Sequence, residues 1–279
     1  MPYRTILLNL NDEDRAGELI RAALAVAANE KAHIIGLYAI PSALPPPELI
    51  GPVANTWIEE QMRVFRDQAR RIKANFEQAM KNSEVTHEWR LDESRYDETV
   101  ADSIIAYART ADLVIVSRAP ENGWIDDVPE RVTIECGRPV LVLPQEGEFE
   151  HLGSNVTVAW KPSKEATRAV FDALPLLQKA KHVQLLSIRE HQDSGERSNA
   201  DSISELAANL QRHGIEARTD VAPRGQSSVG DSLVEFVNSG GQDLLVMGIY
   251  GHSRFRELLL GGASRGVLQH MTIPVLFSH

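Results

Sequence analysis

Residues 243–266 read DLLVMGIYGHSRFRELLLGGASRG. The apolar run Asp243–Met247 leads into Gly248 and Gly251, and the spacing Gly-x2-Gly-x9-Gly-Gly ends at Gly261 and Gly262, with Ala263 and Ser264 next. A buried strand runs into a glycine loop, and the loop runs into a helix. Glycine has no Cβ and tolerates positive φ, so backbone N–H groups there can approach a phosphate closely. The partial positive charge at the helix start adds to the attraction. Arg254, Arg256 and Arg265 lie in or beside the loop. The alternative reading is a glycine-rich turn that only packs a helix on a sheet.

Working outward, the chain repeats itself. Each half opens with a short apolar run, Thr5–Leu10 and Asn155–Trp160. An amphipathic helix follows in each, with Ala16, Leu19, Ile20, Ala23 and Ala27 on one face of the first and Ala166, Ala169, Val170, Ala173 and Leu177 on one face of the second. Second strands fall at Ala32–Ile40 and His182–Ile188. Later come Asp112–Val116 and Asp243–Met247, each an Asp plus an apolar run. Each half closes on a Pro-led strand, Pro139–Leu143 and Pro274–Phe277. Strands alternating with helices imply parallel βαβ units. Near-continuous apolar strands imply sheets covered on both faces.

The acidic, glycine-containing segment Gln145–Ser154 reads as a linker between residues 1–144 and 155–279. Pro41–Thr56 holds five prolines and reads as a long ordered loop, with a long amphipathic helix over Trp57–Lys81 after it. His191–Asn199 reads as a polar, mobile loop. The expected architecture is α/β: two tandem, open, doubly wound parallel sheets related by a pseudo-twofold axis, with no single sheet running through both. The closing strands are sheet edges, so a homodimer could pair through them.

The chain has 279 residues, enough for two ordinary cores, with 43% apolar and 24% charged residues. No apolar run reaches the roughly 18 residues that span a bilayer, and the N-terminus reads as a strand rather than a secretory signal. The single cysteine, Cys136, allows no intramolecular disulfide and reads as a small residue packed near a helix end. A cytoplasmic location is expected. A net charge of −10 argues against nucleic-acid binding. Residues 1–144 hold 16 Lys and Arg against 23 Asp and Glu, whereas residues 151–279 hold 13 against 13. The half with the glycine loop is the less acidic one, as an anion site would prefer.

On these residues the chain resembles the universal stress protein family in its tandem, two-domain form. The resemblance covers essentially the whole chain, and its specific part runs from Asp243 to Phe277. It implies a five-stranded parallel sheet in each domain and an adenine nucleotide, ATP or a relative, at the carboxyl ends of the strands. Gly248, Gly251 and Gly261 match the family's loop; Gly262 stands where the family has Ser or Thr. Family members that bind ATP carry an Asp after the first strand; here Asn11 and Lys161 stand there. Lys161 cannot accept a hydrogen bond, but it can meet a phosphate or a neighbouring carboxylate.

The first half departs further. Asp112 to Pro139 spans 27 positions and Asp243 to Pro274 spans 31, so the first half is four residues shorter where the loop should be. Ser117 stands where Gly248 stands, and Asp126 and Asp127 would repel phosphate. The first domain is therefore expected to bind no nucleotide and to pair with the second.

The site expected in the second half comprises Gly248 and Gly251 for backbone approach, and Gly261, Gly262 and Ala263 for N–H donors. Ser264 supplies a hydroxyl to phosphate or to the helix cap, His252 a contact in the loop, and Lys161 a counter-charge. Trp160 either walls the pocket or packs in the core. Mg²⁺ could accompany the nucleotide or meet Asp126 and Asp127, which otherwise form a solvated acidic loop. No Gly-x4-Gly-Lys loop or zinc spacing occurs, and no residue is placed as a general base. The leading expectation is a stress-response protein regulated by ATP and acting on an unidentified protein partner. The alternatives are an interaction protein that uses no nucleotide and a slow ATP hydrolase.

Overall fold

The structure is a computed structural model that describes residues 2–28, 31–81, 83–93, 98–118, 128–149, 151–189, 199–223, 228–249 and 262–279. The first half contains β1 (Thr5–Asn9), α1 (Ala16–Ala27), β2 (His33–Ile40), α2 (Pro52–Met80), β3 (Thr86–Glu93), α3 (Val100–Ala108), β4 (Leu113–Ser117), α4 (Val128–Glu135) and β5 (Val140–Leu143). The second contains β6 (Asn155–Ala159), α5 (Lys164–Asp172), α6 (Leu174–Leu177), β7 (His182–Arg189), α7 (Asn199–Arg212), β8 (Ala217–Pro223), α8 (Val229–Ser239), β9 (Leu244–Gly248), α9 (Gly262–His270) and β10 (Val275–Ser278).

The strand order is β3-β2-β1-β4-β5 in the first half and, read the same way, β8-β7-β6-β9-β10 in the second, all parallel within each half. The repeated α/β order read from the sequence is present. The two sets are not separate sheets, however. β5 pairs antiparallel with β10, Val140 opposite Phe277 and Val142 opposite Val275, and this joins all ten strands into one sheet. This corrects the expectation of two independent sheets. The closing strands are edges of their own halves, and an exposed ladder finds a partner of matching length and apolarity in the other half. Those edges are thus used within the chain, and a homodimer cannot pair through them. The outer edges are β3 and β8, whose charged and polar residues protect them against further pairing.

Both faces are covered. α1, α2, α5, α6 and α7 pack one side through residues such as Leu19, Ile72, Val170, Leu177 and Leu210. α3, α4, α8 and α9 pack the other through Ile104, Val132, Leu233 and Val267. Every residue of the apolar helix stripes named above is buried. Cys136 is a buried free cysteine just after α4. α2 begins at Pro52, five residues before the expected start, because the fixed φ of proline suits the first helical position and its missing N–H is no loss there. Across the halves, the Tyr3 hydroxyl donates to the Asp172 carbonyl (2.6 Å), Arg168 to Gly137 (3.0 Å) and Lys179 to Ala28 (3.2 Å). Burial, with Asp172 and Asp112 nearby, holds the Tyr3 phenol well above its usual range. Among the described residues no helix is long and apolar enough to cross a membrane.

Candidate functional site

Each half is tied at the amino ends of its strands by one aspartate. The Asp112 carboxylate accepts from the N–H groups of Arg4 and Thr5 (2.8 and 2.9 Å). Asp243 does the same for Gly153, Ser154 and Asn155 (3.1, 2.9 and 2.9 Å). Burial raises the Asp243 carboxyl, and those N–H groups oppose it. Both residues were read in the sequence only as strand markers; their clamping role depends on the return of a distant strand.

The carboxyl ends are where an open α/β sheet takes ligands, and there the halves diverge. In the first half Asn11 is buried. Its Nδ2 donates to the Ala39 carbonyl (2.5 Å) and its Oδ1 accepts from the Ala39 N–H (3.1 Å). The side chain thus continues the β1–β2 ladder beyond its last backbone bond, Leu10 N–H to the Leu37 carbonyl (2.8 Å). The matching bond in the second half is Trp160 N–H to the Leu186 carbonyl (2.7 Å), which aligns Asn11 with Lys161. Lys161 is exposed at the end of β6. Trp160 is half-buried against the core and donates its indole N–H to Ser202 on α7 (3.0 Å), so it acts as packing between strand end and helix.

Gly248 ends β9. A Cβ built on it would lie 2.5 Å from the Ala166 nitrogen and 2.8 Å from the Glu165 Cβ. The absent side chain therefore lets the first turn of α5 rest on the strand, as the packing alternative for this glycine supposed. Ser163 caps that turn, accepting from the Ala166 N–H (3.2 Å). Burial tends to raise the Glu165 carboxyl, yet its own backbone N–H and the Lys164 and Ser163 side chains hold it below the usual range.

α9 begins at Gly262, which is exposed, and a Cβ there would meet nothing within 4 Å. Ala263 is half-buried. Ser264 is fully buried, and among the described residues its hydroxyl has no hydrogen-bond partner. A buried hydroxyl left so costs roughly 1–3 kcal/mol, and native structures seldom keep one without a reason. Gly248, Gly262, Ala263 and Ser264 thus lie on the strand and helix that flank the glycine loop. Gly251, His252 and Gly261 lie outside the described residues, as do Arg254, Arg256, Asp126 and Asp127. Among the described residues no group of His, Cys, Asp or Glu could hold a metal ion.

α9 is held to α8 by a motif that recurs in both halves. Thr99 and Asp102 form a capping box at the start of α3, and Ser228 and Asp231 form one at the start of α8. Arg131 of α4 pairs with Asp102 (2.6 Å), and His270 of α9 lies 3.2 Å from Asp231. Arg131 and the Thr99 bonds hold the Asp102 carboxyl down at about 2. The Ser/Thr-x-x-Asp spacing was available in the sequence; the helix that closes each box was not.

Residues 154–279 match the model of the Universal stress protein family. Among solved structures, the chain is similar to a universal stress protein from Archaeoglobus fulgidus DSM 4304 at 16% identity and a TM-score of 0.70, with 98% of this chain and 97% of that one covered. It is also similar to a functionally unknown protein from Pseudomonas aeruginosa PAO1, at 13% identity and a TM-score of 0.61, covering 99% and 92% of the two chains. At these identities the likeness establishes the fold. Among curated proteins, Universal stress protein Slr1230 of Synechocystis sp. is 41% identical over 46 residues, so the match spans 16% of the length of each protein.

Proposed function

We propose that this chain is a tandem universal stress protein whose second half binds an adenine nucleotide at the carboxyl ends of β6 and β9, as a regulatory ligand in the cytoplasm. One observation carries the reading: the buried, unpartnered hydroxyl of Ser264 in the first turn of α9, the helix that follows the glycine loop. A phosphate oxygen is the acceptor such a hydroxyl lacks, and a helix start supplies N–H groups and partial positive charge beside it. In this proposal Gly251, Gly261, Gly262 and Ala263 supply backbone donors, and Lys161 and His252 lie within reach of the phosphates. Gly248 acts indirectly, by seating α5. The family match over residues 154–279 supports the assignment and falls on the same half. With no residue placed as a general base, turnover of the nucleotide is not part of the proposal. Titration of ATP into the full chain, wild type against Ser264→Ala, tests it: the variant should bind about tenfold more weakly, as loss of one hydrogen bond to a charged group predicts. Equal affinity would remove the observation on which the reading rests.

A second reading is favoured by Gly248, whose glycine is explained by packing alone. On it, the chain is an interaction protein that needs no nucleotide, and ATP does not bind even at millimolar concentration.

A further inference from the structure

At the opposite, amino ends of β9 and β10 lies an open groove of about 560 Å³. Its walls are the linker residues Gly147, Glu148, Phe149 and His151 on one side and Gln242, Asp243, Thr272, Ile273 and Pro274 on the other. Its volume falls within the range of small-molecule sites, and it lies between the linker and the second half. The sheet separates it from the nucleotide site proposed above.

The linker wall is built rather than draped. Gly147 has φ +105°, and a Cβ there would lie 3.0 Å from the Phe149 ring, so only glycine lets the chain fold back on that ring. Arg15 of the first half holds the turn: its guanidinium donates to the carbonyls of Pro144 (3.0 Å) and Gly147 (3.2 Å). Phe149 is half-buried and packs against the core. A groove so braced is largely formed before any ligand arrives.

Its carboxylates outnumber its basic groups. Among the described residues the lining carries two carboxylates, Glu148 and Asp243, beside the imidazole of His151, and no Lys or Arg. The Asp243 carboxylate already takes three backbone N–H groups, yet two carboxylate oxygens offer about four acceptor positions. Phe149, Ile273 and Pro274 supply apolar surface, and an aromatic face attracts a cation. We infer that this groove binds a small organic cation, a primary ammonium carried on an apolar body, with the ammonium toward Glu148 and Asp243 and the body against Phe149 and Pro274.

The test uses the full chain and two probes of one shape, phenethylammonium and the neutral phenethyl alcohol, titrated by NMR or calorimetry. The ammonium should saturate a single site and bind about tenfold more tightly than the alcohol. Glu148→Lys, an exposed change that leaves the fold intact, should weaken the ammonium about tenfold by reversing a nearby charge. Phe149→Ala should weaken it about fivefold, and Ser264→Ala should change nothing. Equal binding of the two probes, no saturable binding at tens of millimolar, or ammonium binding untouched by Glu148→Lys would each overturn the inference. Because Glu148→Lys removes no core contact, that result decides even where Phe149→Ala fails to fold. Neither outcome bears on ATP, which is titrated separately.

Discussion

The two halves share a strand order, an aspartate clamp and a capping box, and they differ at the carboxyl ends of their strands. In the first half the polar groups there are spent on the chain itself. Asn11 closes on both backbone groups of Ala39, and the Ser117 hydroxyl donates to the Arg118 carbonyl (3.1 Å). In the second half the matching strand end carries an exposed Lys161, the position matching Ser117 is Gly248, and the α9 start holds a hydroxyl with no partner among the described residues. A repeat that satisfies its own polar groups gains stability and gives up the means to hold a ligand. A repeat that leaves one unsatisfied bears a cost that a ligand can relieve.

The sharpest way to break this comparison is at Gly248 and Ser117, which occupy the same place at the ends of β9 and β4. Gly248→Ser should destabilise the protein by about 3 kcal/mol, because the new Cβ meets α5 backbone that cannot yield cheaply. Ser117→Gly, which removes a side chain already accommodated, should cost about 1 kcal/mol. Urea denaturation midpoints measure both, and similar costs would mean the halves pack alike.

A second contrast is Asn11 with Lys161. Asn11→Ala strands the Ala39 N–H and carbonyl and should cost about 2 kcal/mol. Lys161→Ala, at an exposed strand end, should stay within about 0.5 kcal/mol. Asn11→Asp should also destabilise, since a carboxylate cannot donate to the Ala39 carbonyl; restoring an acid there does not restore a site.

The capping boxes give a smaller, pH-dependent difference. Asp102 is held at about 2 in the folded chain, below its ordinary 3.8, first by Arg131 and then by Thr99. A lowered carboxyl stabilises the fold above its unfolded value, and that stability is lost as pH falls from about 4 toward 2. Asp102→Asn should therefore flatten the acid limb of stability against pH. At pH 7 it should cost about 1 kcal/mol, kept small because the pair is partly exposed. Asp231→Asn should cost less, because its partner His270 is far more exposed than Arg131.

The smallest effect is expected at Gly262. A side chain there has open space, so Gly262→Ser should leave stability within about 0.5 kcal/mol while tightening ATP by supplying the hydroxyl that the family pattern carries at this place.

Much of this was legible before the structure. Apolar periodicity placed the face of the first helix in each half and most strands, because burial on both faces of a parallel sheet leaves an unbroken apolar record. The joining of β5 to β10 was not legible as an intramolecular bond: Pro139–Leu143 and Pro274–Phe277 read as edges, and nothing local says which partner an edge takes. The helix start at Pro52 was missed because proline both ends and begins helices. The spacing around Gly248 pointed to the right strand end but not to the contact with Ala166, which arises only when α5 packs back. Ser264 was visible as a candidate; that its hydroxyl is buried without a partner depends on the packing of α9.

Calorimetric titration of ATP into the full chain, repeated with Ser264→Ala and with Asn11→Ala, tests the asymmetry most directly. The expected result is one site per chain, weakened about tenfold by Ser264→Ala and unchanged by Asn11→Ala where that variant folds. Two equivalent sites per chain, or a single site lost with Asn11 and kept with Ser264→Ala, would contradict it.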